Sequence, residues 1–185
     1  MNATDSDGGS ALTLAAAGGK DRIVDLLLER SDIDVNHCDN QHYFFTALIR
    51  AASQGHDTIV KLLLGRHDID VNAEDSFFGT TALAIAAANG LEMVVRMLLG
   101  RRDIDVNSTD GKGRTPLIIA ALFNRVNLVK ILLSHEGVKT KVQDGFGETA
   151  LSYISHRWDF RGGDEVIKND IVVELTKRHR DNCYE

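Results

Sequence analysis

The five-residue phrase Asp-Ile-Asp-Val-Asn occurs three times in this chain of 185 residues and constrains its fold more than any other feature. The copies occupy residues 32–36, 68–72 and 103–107, so their spacings are 36 and 35 residues. A leucine run precedes each copy, and an alanine-rich segment follows it. A period of this length is typical of a stacked repeat array, in which each unit packs only on its neighbours. Such arrays usually present an extended binding surface and seldom a catalytic pocket.

Five units emerge when the segments are aligned on the start of their first helix, with steps of 36, 35, 34 and 34 residues. Each start carries Ser or Thr, whose hydroxyl can accept a free N–H of the first helical turn. Paired alanines follow in the first four units and let neighbouring helices approach closely. A glycine then ends the helix in the first three units, and Asn124 replaces it in the fourth, since both residues tolerate positive φ. The five starts are Ser10, Thr46, Thr81, Thr115 and Thr149.

A second helix is expected in every unit, because apolar residues recur there at helical spacing. The fifth unit differs, since an insertion at 158–166 separates its two helices. The expected organisation is a polar N-terminal segment at 1–9, a repeat domain at 10–178 and a polar tail at 179–185. The repeats fall at about 10–45, 46–80, 81–114, 115–148 and 149–178.

With these motifs in register, the chain resembles the ankyrin-repeat family. The family's opening Thr-Pro-Leu occurs at residues 115–117, its Gly-His pair at 55–56, and its Asp-Val-Asn turn in the three recurring phrases. The histidine that usually follows the opening is absent from every unit. The resemblance covers about residues 8–178. It implies an all-α repeat solenoid, an ankyrin-repeat array of about five helix-turn-helix units with projecting β-hairpin loops, called fingers below.

The two ends of the array differ in polarity. The last helix runs into Lys-Arg-His-Arg at 177–180, and a polar outer face is what a terminal unit requires. The first unit shows no comparable polar face. Either its outer surface meets a partner, or residues 1–7 fold over it.

Composition and charge narrow the classes of function. A net charge of −6 argues against non-specific nucleic-acid binding, and the chain has no run of about 18 apolar residues that could span a membrane. The N-terminus lacks the basic and apolar regions of a secretory signal, and Cys38 and Cys183 are too few for a disulfide framework. We therefore expect an intracellular protein, in the cytoplasm or nucleus, that is monomeric alone and has no nucleic-acid or membrane partner.

No motif predicts catalytic residues, a metal site or a cofactor. The Asp-x-Asp-x-Asn spacing resembles a calcium loop, but no copy has glycine at position six or glutamate at position twelve. The simpler interpretation is a polar turn whose Asn side chains bond the local backbone. The turns also resemble the pattern that asparaginyl hydroxylases recognise on ankyrin domains, so hydroxylation of Asn36, Asn72 or Asn107 stays open. We expect a chain that is not an enzyme.

Aromatic fingertips are the main candidates for partner binding. Five of the seven phenylalanines fall in predicted loops, where aromatic side chains are unusual unless they dock onto something. Alternatively, they fold back onto adjacent fingers. On the inner helices, Phe123 beside Leu122 is an apolar anchor where other units are smaller or polar. The candidate partner-binding residues are Tyr43, Phe44, Phe45, Phe77, Phe78, Arg114, Leu122, Phe123 and Phe146.

The resemblance implies a protein–protein interaction module, for example a scaffold, that holds a polypeptide partner of unknown identity through the fingertips and the concave inner-helix face. The alternative is a regulatory inhibitor that occludes the active site of a partner enzyme. Arg50 stands where other units have apolar residues or tyrosine, and we expect it to pair with a nearby acid. Trp158 and Phe160 in the insertion are expected to cover the end of the stack.

Overall fold

A computed structural model describes residues 3–6, 8–39, 45–157 and 165–181, with backbone alone for 157, 165–168 and 178–181. Each unit in the described part contributes an inner helix followed by an outer helix. The inner helices are α1 (Ala11–Ala17), α3 (Ala47–Gln54), α5 (Ala82–Asn89), α7 (Pro116–Leu122) and α9 (Ala150–Arg157). The outer helices are α2 (Asp21–Leu28), α4 (Asp57–Leu64), α6 (Glu92–Leu99), α8 (Val126–Leu133) and α10 (Glu165–Asp181).

The ends of the inner helices follow from local chemistry. Each begins after a Ser or Thr whose hydroxyl accepts the N–H three residues on, at 3.2 or 3.3 Å. Pro116 takes the first position of α7, where its missing N–H has no helical partner. At the other end, Gly55 and Gly90 have φ of 73° and 80°, and Asn124 has φ of 54°. The predicted helix starts and left-handed ends are confirmed.

Successive units share one hydrophobic core. Inner helices pack on inner helices and outer helices on outer helices, and α10 packs on α9. The paired alanines of α3 and α5 are fully buried, and their small side chains let these helices approach closely. Leucines at the start of the inner helices complete the same core, which runs through the units of the array. The predicted all-α solenoid is confirmed.

Fingers 2 to 4 are tight turns organised around a buried carboxylate, and the described ends of finger 1 share this type of anchor. In each finger an Asp exposed by 7% or less donates its N–H to the returning arm, at 2.9–3.1 Å. Its side chain accepts backbone N–H groups of the tip or of the returning arm. The described residues form only isolated antiparallel bridges and no β-strand, because the arms are too short for a ladder. Fingers 1 to 4 are residues 37–45, 73–80, 108–114 and 142–148, and their carboxylates are Asp39, Asp75, Asp110 and Asp144.

Residues 3–6 and 8–10 share the hydrogen bonding of these turns. Thr4 and Ser10 form an antiparallel bridge, and the Asp5 N–H donates to the carbonyl of Gly9 at 3.0 Å. In finger 1, Nε2 of His37 lies 2.9 Å from the carbonyl oxygen of Gly8. This segment therefore packs beside the fingers and leaves apolar side chains of α2 exposed.

Asparagine side chains join neighbouring units along one edge of the array. Nδ2 of Asn72 donates to the carbonyl of Asp103 at 2.7 Å, and its Oδ1 accepts the N–H of Asp105 at 2.8 Å. Asn36 and Asn107 make the same two bonds to the units that follow them. The prediction that these side chains bond the local backbone is wrong. The Asp two residues earlier already accepts the local N–H, which leaves the amide to reach the next unit.

An arginine in the same turns contacts the preceding unit. Nε and Nη2 of Arg66 bind Asp68 at 2.9 and 2.8 Å, while Nη1 donates to the carbonyl of Leu28 at 3.0 Å. Arg101 repeats these contacts with Asp103 and the end of α4. Hydrogen bonding to Arg66 lowers the pKa of Asp68 to about 2. These arginines satisfy carbonyls at the C-terminal ends of outer helices, which have no partner within the helix.

This edge pattern stops at the fourth unit, where Thr140 and Lys141 stand at the positions of Val106 and Asn107. Thr140 is 2% exposed, and its hydroxyl has no hydrogen-bond partner among the described residues. A lysine side chain offers no acceptor, so Lys141 cannot make the two-way bridge that asparagine makes.

Candidate protein-binding groove

Finger 2 presents two phenylalanines on a fixed turn. The carboxylate of Asp75 accepts the N–H groups of Phe77, Phe78 and Thr80 at 2.6–3.0 Å. The two phenylalanine rings meet edge to face with centroids 4.5 Å apart. Phe77 is 65% exposed and Phe78 is 49% exposed. The backbone of the tip is thus tied to a buried anchor, while its aromatic side chains face solvent.

Finger 3 carries cationic side chains on the same type of turn. The carboxylate of Asp110 accepts the backbone N–H groups of Lys112 and Arg114, and also the guanidinium of Arg114. Arg114 therefore neutralises a buried carboxylate, and its side chain is only 20% exposed. Lys112 is exposed and has no ion pair among the described residues. The positive charge that this finger offers to a partner is mainly that of Lys112.

Fingers 2 and 3 enclose a groove of about 400 Å³ with inner helices α5 and α7. This volume lies within the range of ligand pockets, roughly 300–1,000 Å³. Phe77 and Phe78 line it from the finger, and Phe123, which is 50% exposed, lines it from the end of α7. The inner helices and finger 3 also contribute Ala84, Ile85, Ala88, Ile119, Lys112 and Arg114.

The groove brings together four of the nine candidate residues, namely Phe77, Phe78, Arg114 and Phe123. Phe146, on finger 4, is 74% exposed and lines a separate cavity of about 310 Å³ with residues of α9. Tyr43 and Phe44 lie outside the described residues, as do Trp158 and Phe160 of the insertion.

Phe45 and Leu122 are partly buried and pack against the core. The guanidinium carbon of Arg50 lies 4.7 Å from the centre of the Phe45 ring, and Nη2 of Arg50 lies 2.8 Å from Oδ2 of Asp39. The predicted pairing of Arg50 with an acid is confirmed. Because Phe45 supports this pair and the core, we leave Phe45 and Leu122 out of the proposed contact surface.

Two features of this region were not expected from the sequence. The first is the apolar floor of the groove, to which Ile85 and Ile119 contribute. They occupy the same helical position as Arg50. The change from arginine to isoleucine at this position was the sequence signal that could have predicted an apolar floor. The second is the set of buried finger carboxylates. From Asp39 to Asp144 they recur at spacings of 36, 35 and 34 residues, a period that marks them as structural.

Finger 4 secures its carboxylate through a tyrosine. The hydroxyl of Tyr153 donates to Asp144 at 2.7 Å, and the carboxylate also accepts the N–H groups of Phe146 and Glu148. Burial alone would raise the pKa of Asp144, but these hydrogen bonds hold it below its ordinary value. The negative charge of Asp144 therefore stabilises the turn.

Two further properties of the described residues bear on function. In this part of the chain no three His, Cys, Asp or Glu side chains are grouped closely enough to hold a metal ion. Of the helices described, none combines the length and apolar character needed to cross a bilayer.

A shared core running through successive helix pairs, with turns projecting from one edge, defines the class of α-helical solenoid repeat proteins. The family model for ankyrin repeats matches the chain in three overlapping copies, at residues 1–75, 67–144 and 83–160. The chain therefore belongs to the ankyrin-repeat family, whose members generally act as protein–protein interaction modules. A comparison with curated proteins finds no match.

Proposed function

We propose that the chain binds an extended polypeptide segment of another protein in the groove between fingers 2 and 3. The observation that carries this proposal is the exposure of Phe77, Phe78 and Phe123, by 49% to 65%, around a single apolar groove. Contiguous exposed apolar surface on a soluble protein marks an interaction site more often than scattered single residues do. Aromatic side chains that become buried on binding are frequent interface anchors.

The lining of the groove favours a segment with a bulky apolar side chain next to an acidic one. The floor is formed by alanine and isoleucine, so it disfavours a charged group. Among the described residues that line the groove, the one carboxylate is Asp110, and Arg114 already neutralises it. Lys112 remains exposed on finger 3, where it can pair with a carboxylate of the ligand. Such an exposed pair adds little affinity but favours one partner over another.

The fingers that frame the groove are fixed before a partner binds. The N–H of Gly111 donates to the carbonyl of Phe78 at 2.6 Å, which ties finger 3 to finger 2. The N–H of Gly145 donates to the carbonyl of Lys112 at 2.7 Å, which ties finger 4 to finger 3. Because the backbone of the tips is already ordered, binding loses less conformational entropy than it would with free loops.

Selection of peptides tests this proposal. A display library of random peptides is selected on the wild-type chain and on the triple variant Phe77→Ala, Phe78→Ala, Phe123→Ala. We expect the wild type to enrich peptides in which a large apolar residue neighbours Asp or Glu. Met93→Ala is the matched control, because Met93 is 58% exposed on α6 and does not line the groove.

The control should select the same peptides as the wild type, and circular dichroism should show that all the variants are folded. Equal enrichment on the triple variant would contradict the proposal, as would no enrichment on the wild type. The inhibitor alternative uses the same surface. Affinity capture from a native lysate, compared between the wild type and the triple variant, identifies the natural partner. If that partner is an enzyme, stoichiometric loss of its activity would assign the inhibitor role.

A further inference from the structure

The first unit exposes apolar side chains that later units bury. Ile23 and Leu26 of α2 are 50% and 64% exposed. Leu27 is partly exposed, although its counterparts Leu63 and Leu98 are fully buried. At the position of Ile23, later units carry Ile59, Val94 and Leu128, which are 0%, 0% and 1% exposed. In those units the outer helix of the preceding unit packs on this face. Ile23, Leu26 and Leu27 are called the end face below.

Arg22 lies beside the end face at the position of Asn127 in α8. Nδ2 of Asn127 donates to Glu92, the first residue of α6 in the preceding unit, at 2.8 Å. The outer helices α2 and α4 also begin with an acid, Asp21 and Asp57, which suits the positive end of the helix dipole. By the same geometry, Arg22 can pair with an acid at the start of an outer helix stacked on the first unit.

Arg30 repeats the edge geometry of the later units with one contact fewer. Its Nε and Nη2 bind Asp32 at 3.0 and 2.9 Å, as Arg66 binds Asp68. Nη1 of Arg66 also donates to the carbonyl of Leu28 in the preceding unit. Within the described residues, Arg30 makes no contact of that kind. Its Nη1 can therefore donate to the last carbonyl of an outer helix stacked on the first unit.

Lys20 supplies a third donor on the same side of the unit. It precedes α2 as Arg125 precedes α8, and Nε of Arg125 donates to the carbonyl of Ala88 near the end of α5, at 3.1 Å. Nε2 of His56, at the same position before α4, lies 3.4 Å from the carbonyl oxygen of Ala17. A side chain at this position thus reaches the last turn of the preceding inner helix.

The described part of the segment before α1, residues 3–6 and 8–10, resembles a finger of the array. In the array a finger links the outer helix of one unit to the inner helix of the next, and residues 3–6 and 8–10 have the hydrogen bonding of a finger. In the sequence, Asn2 stands three residues before Asp5, as Asn72 stands three residues before Asp75. The segment before Ser10 is therefore in phase with the repeats.

We propose that the end face docks one further ankyrin-type helix pair, whose outer helix begins with Asp or Glu. The apolar side chains supply the buried contact, and Lys20, Arg22 and Arg30 set the register by bonding to helix ends and to that acid. A second copy of this chain, docked end face to end face, also offers an acid at the start of α2, Asp21, but it brings Lys20, Arg22 and Arg30 of both copies together. We therefore assign the face to a helix pair that lacks these cations. The end face is separate from the groove, so its test does not depend on the proposed function.

The test extends the full chain by one unit. Residues 81–106 are copied between Met1 and Asn2, so that Asn2 takes the place of Asn107 and the copied pair stacks on the first unit. We expect the midpoint of thermal unfolding to rise by about 5 °C or more. Ile23→Ala and Arg22→Ala should lower the midpoint more in the extended chain than in the parent. Met93→Ala in the original third unit is the matched control and should have the same effect in both chains.

A second extended chain carries residues 46–71 at the same place. It serves as a control in case the first copied segment does not fold in its new position. The proposal is wrong if neither extended chain gains stability, or if Ile23→Ala has equal effects with and without the added unit. Analytical ultracentrifugation of the parent chain measures its oligomeric state independently. A dimer that Leu26→Asp dissociates would assign the end face to a second copy and would overturn the proposal.

Discussion

Replacing Thr140 with valine should stabilise the protein. Thr140 stands where the first three units carry valine, and all four side chains are 5% exposed or less. Its hydroxyl has no hydrogen-bond partner among the described residues. In the unfolded chain, water hydrates this hydroxyl, so folding removes hydrogen bonds that are not replaced. Valine has nearly the same shape and no polar atom, so the substitution removes that cost. The three valines are Val35, Val71 and Val106.

The size of the effect follows from the desolvation of one hydroxyl. Mutational data put the cost of burying an unpaired polar group at about 1–3 kcal/mol. We take the lower part of this range, since a hydroxyl is neutral and the larger penalties belong to charged groups. Thr140→Val should then raise the free energy of unfolding by about 1–2 kcal/mol. For a chain of this length, that corresponds to about 2–8 °C in the midpoint of thermal unfolding.

Thermal and urea unfolding followed by circular dichroism measure this change. The slope of the free energy of unfolding against urea concentration should be unaltered, because the surface exposed on unfolding is the same. Val106→Thr is the matched control, since it buries a hydroxyl at the same position of the third unit and should destabilise by a similar amount. If Thr140→Val leaves the free energy of unfolding unchanged while Val106→Thr lowers it, the Thr140 hydroxyl has a partner and the reasoning is refuted.

Three other substitutions test separate features. Asn72→Ala removes both side-chain bonds between the second and third units and should lower the free energy of unfolding by about 1–3 kcal/mol in urea; a loss below about 0.3 kcal/mol would contradict the bridge. Tyr153→Phe removes a hydrogen bond that lowers the pKa of Asp144. A lowered pKa stabilises the fold above the unfolded value of 3.8, and the stabilisation fades as the pH falls through the folded value. The loss caused by Tyr153→Phe should therefore be full at neutral pH and shrink in acid, and a loss independent of pH would argue against this role. Phe45→Ala should lower the free energy of unfolding by about 1–3 kcal/mol, whereas Phe77→Ala should change it by less than about 0.5 kcal/mol; equal thermal shifts would show that the two residues do not differ in burial.

The units and their helices could be predicted because their signals are local. A threonine hydroxyl that caps a helix, or a glycine that ends one, acts on backbone within a few residues of itself. The bonds of the Asn72 side chain to the next unit could not be predicted in this way. Its sequence context is a turn, and only the stacked arrangement shows that its amide meets the third unit.

The candidate groove was predicted only in part, for a similar reason. Phe45 and Phe77 both lie in fingers and look equivalent in the sequence, yet one packs against the core and the other is exposed. Phe45 directly precedes the helix cap Thr46 and packs against the core, with the Arg50 guanidinium over its ring. Phe77 stands at the tip of its finger, two residues after Asp75. Which finger position meets the core is set by contacts between elements, and the sequence alone does not display them.

The bonds between fingertips have a consequence for how such a protein can change its partner. A Cβ added at Gly111 or Gly145 would lie 3.2 or 3.1 Å from the carbonyl oxygen of the preceding tip, so a larger residue at either position would disturb the link. The carbonyls that accept these two bonds belong to Phe78 in finger 2 and Lys112 in finger 3. The bonds use only the backbone of Phe78 and Lys112, so the side chains at these two positions can vary. Substitutions during evolution can therefore change the binding specificity of one fingertip at a time, while the glycines beside the tips preserve the backbone bonds that hold the fingers together.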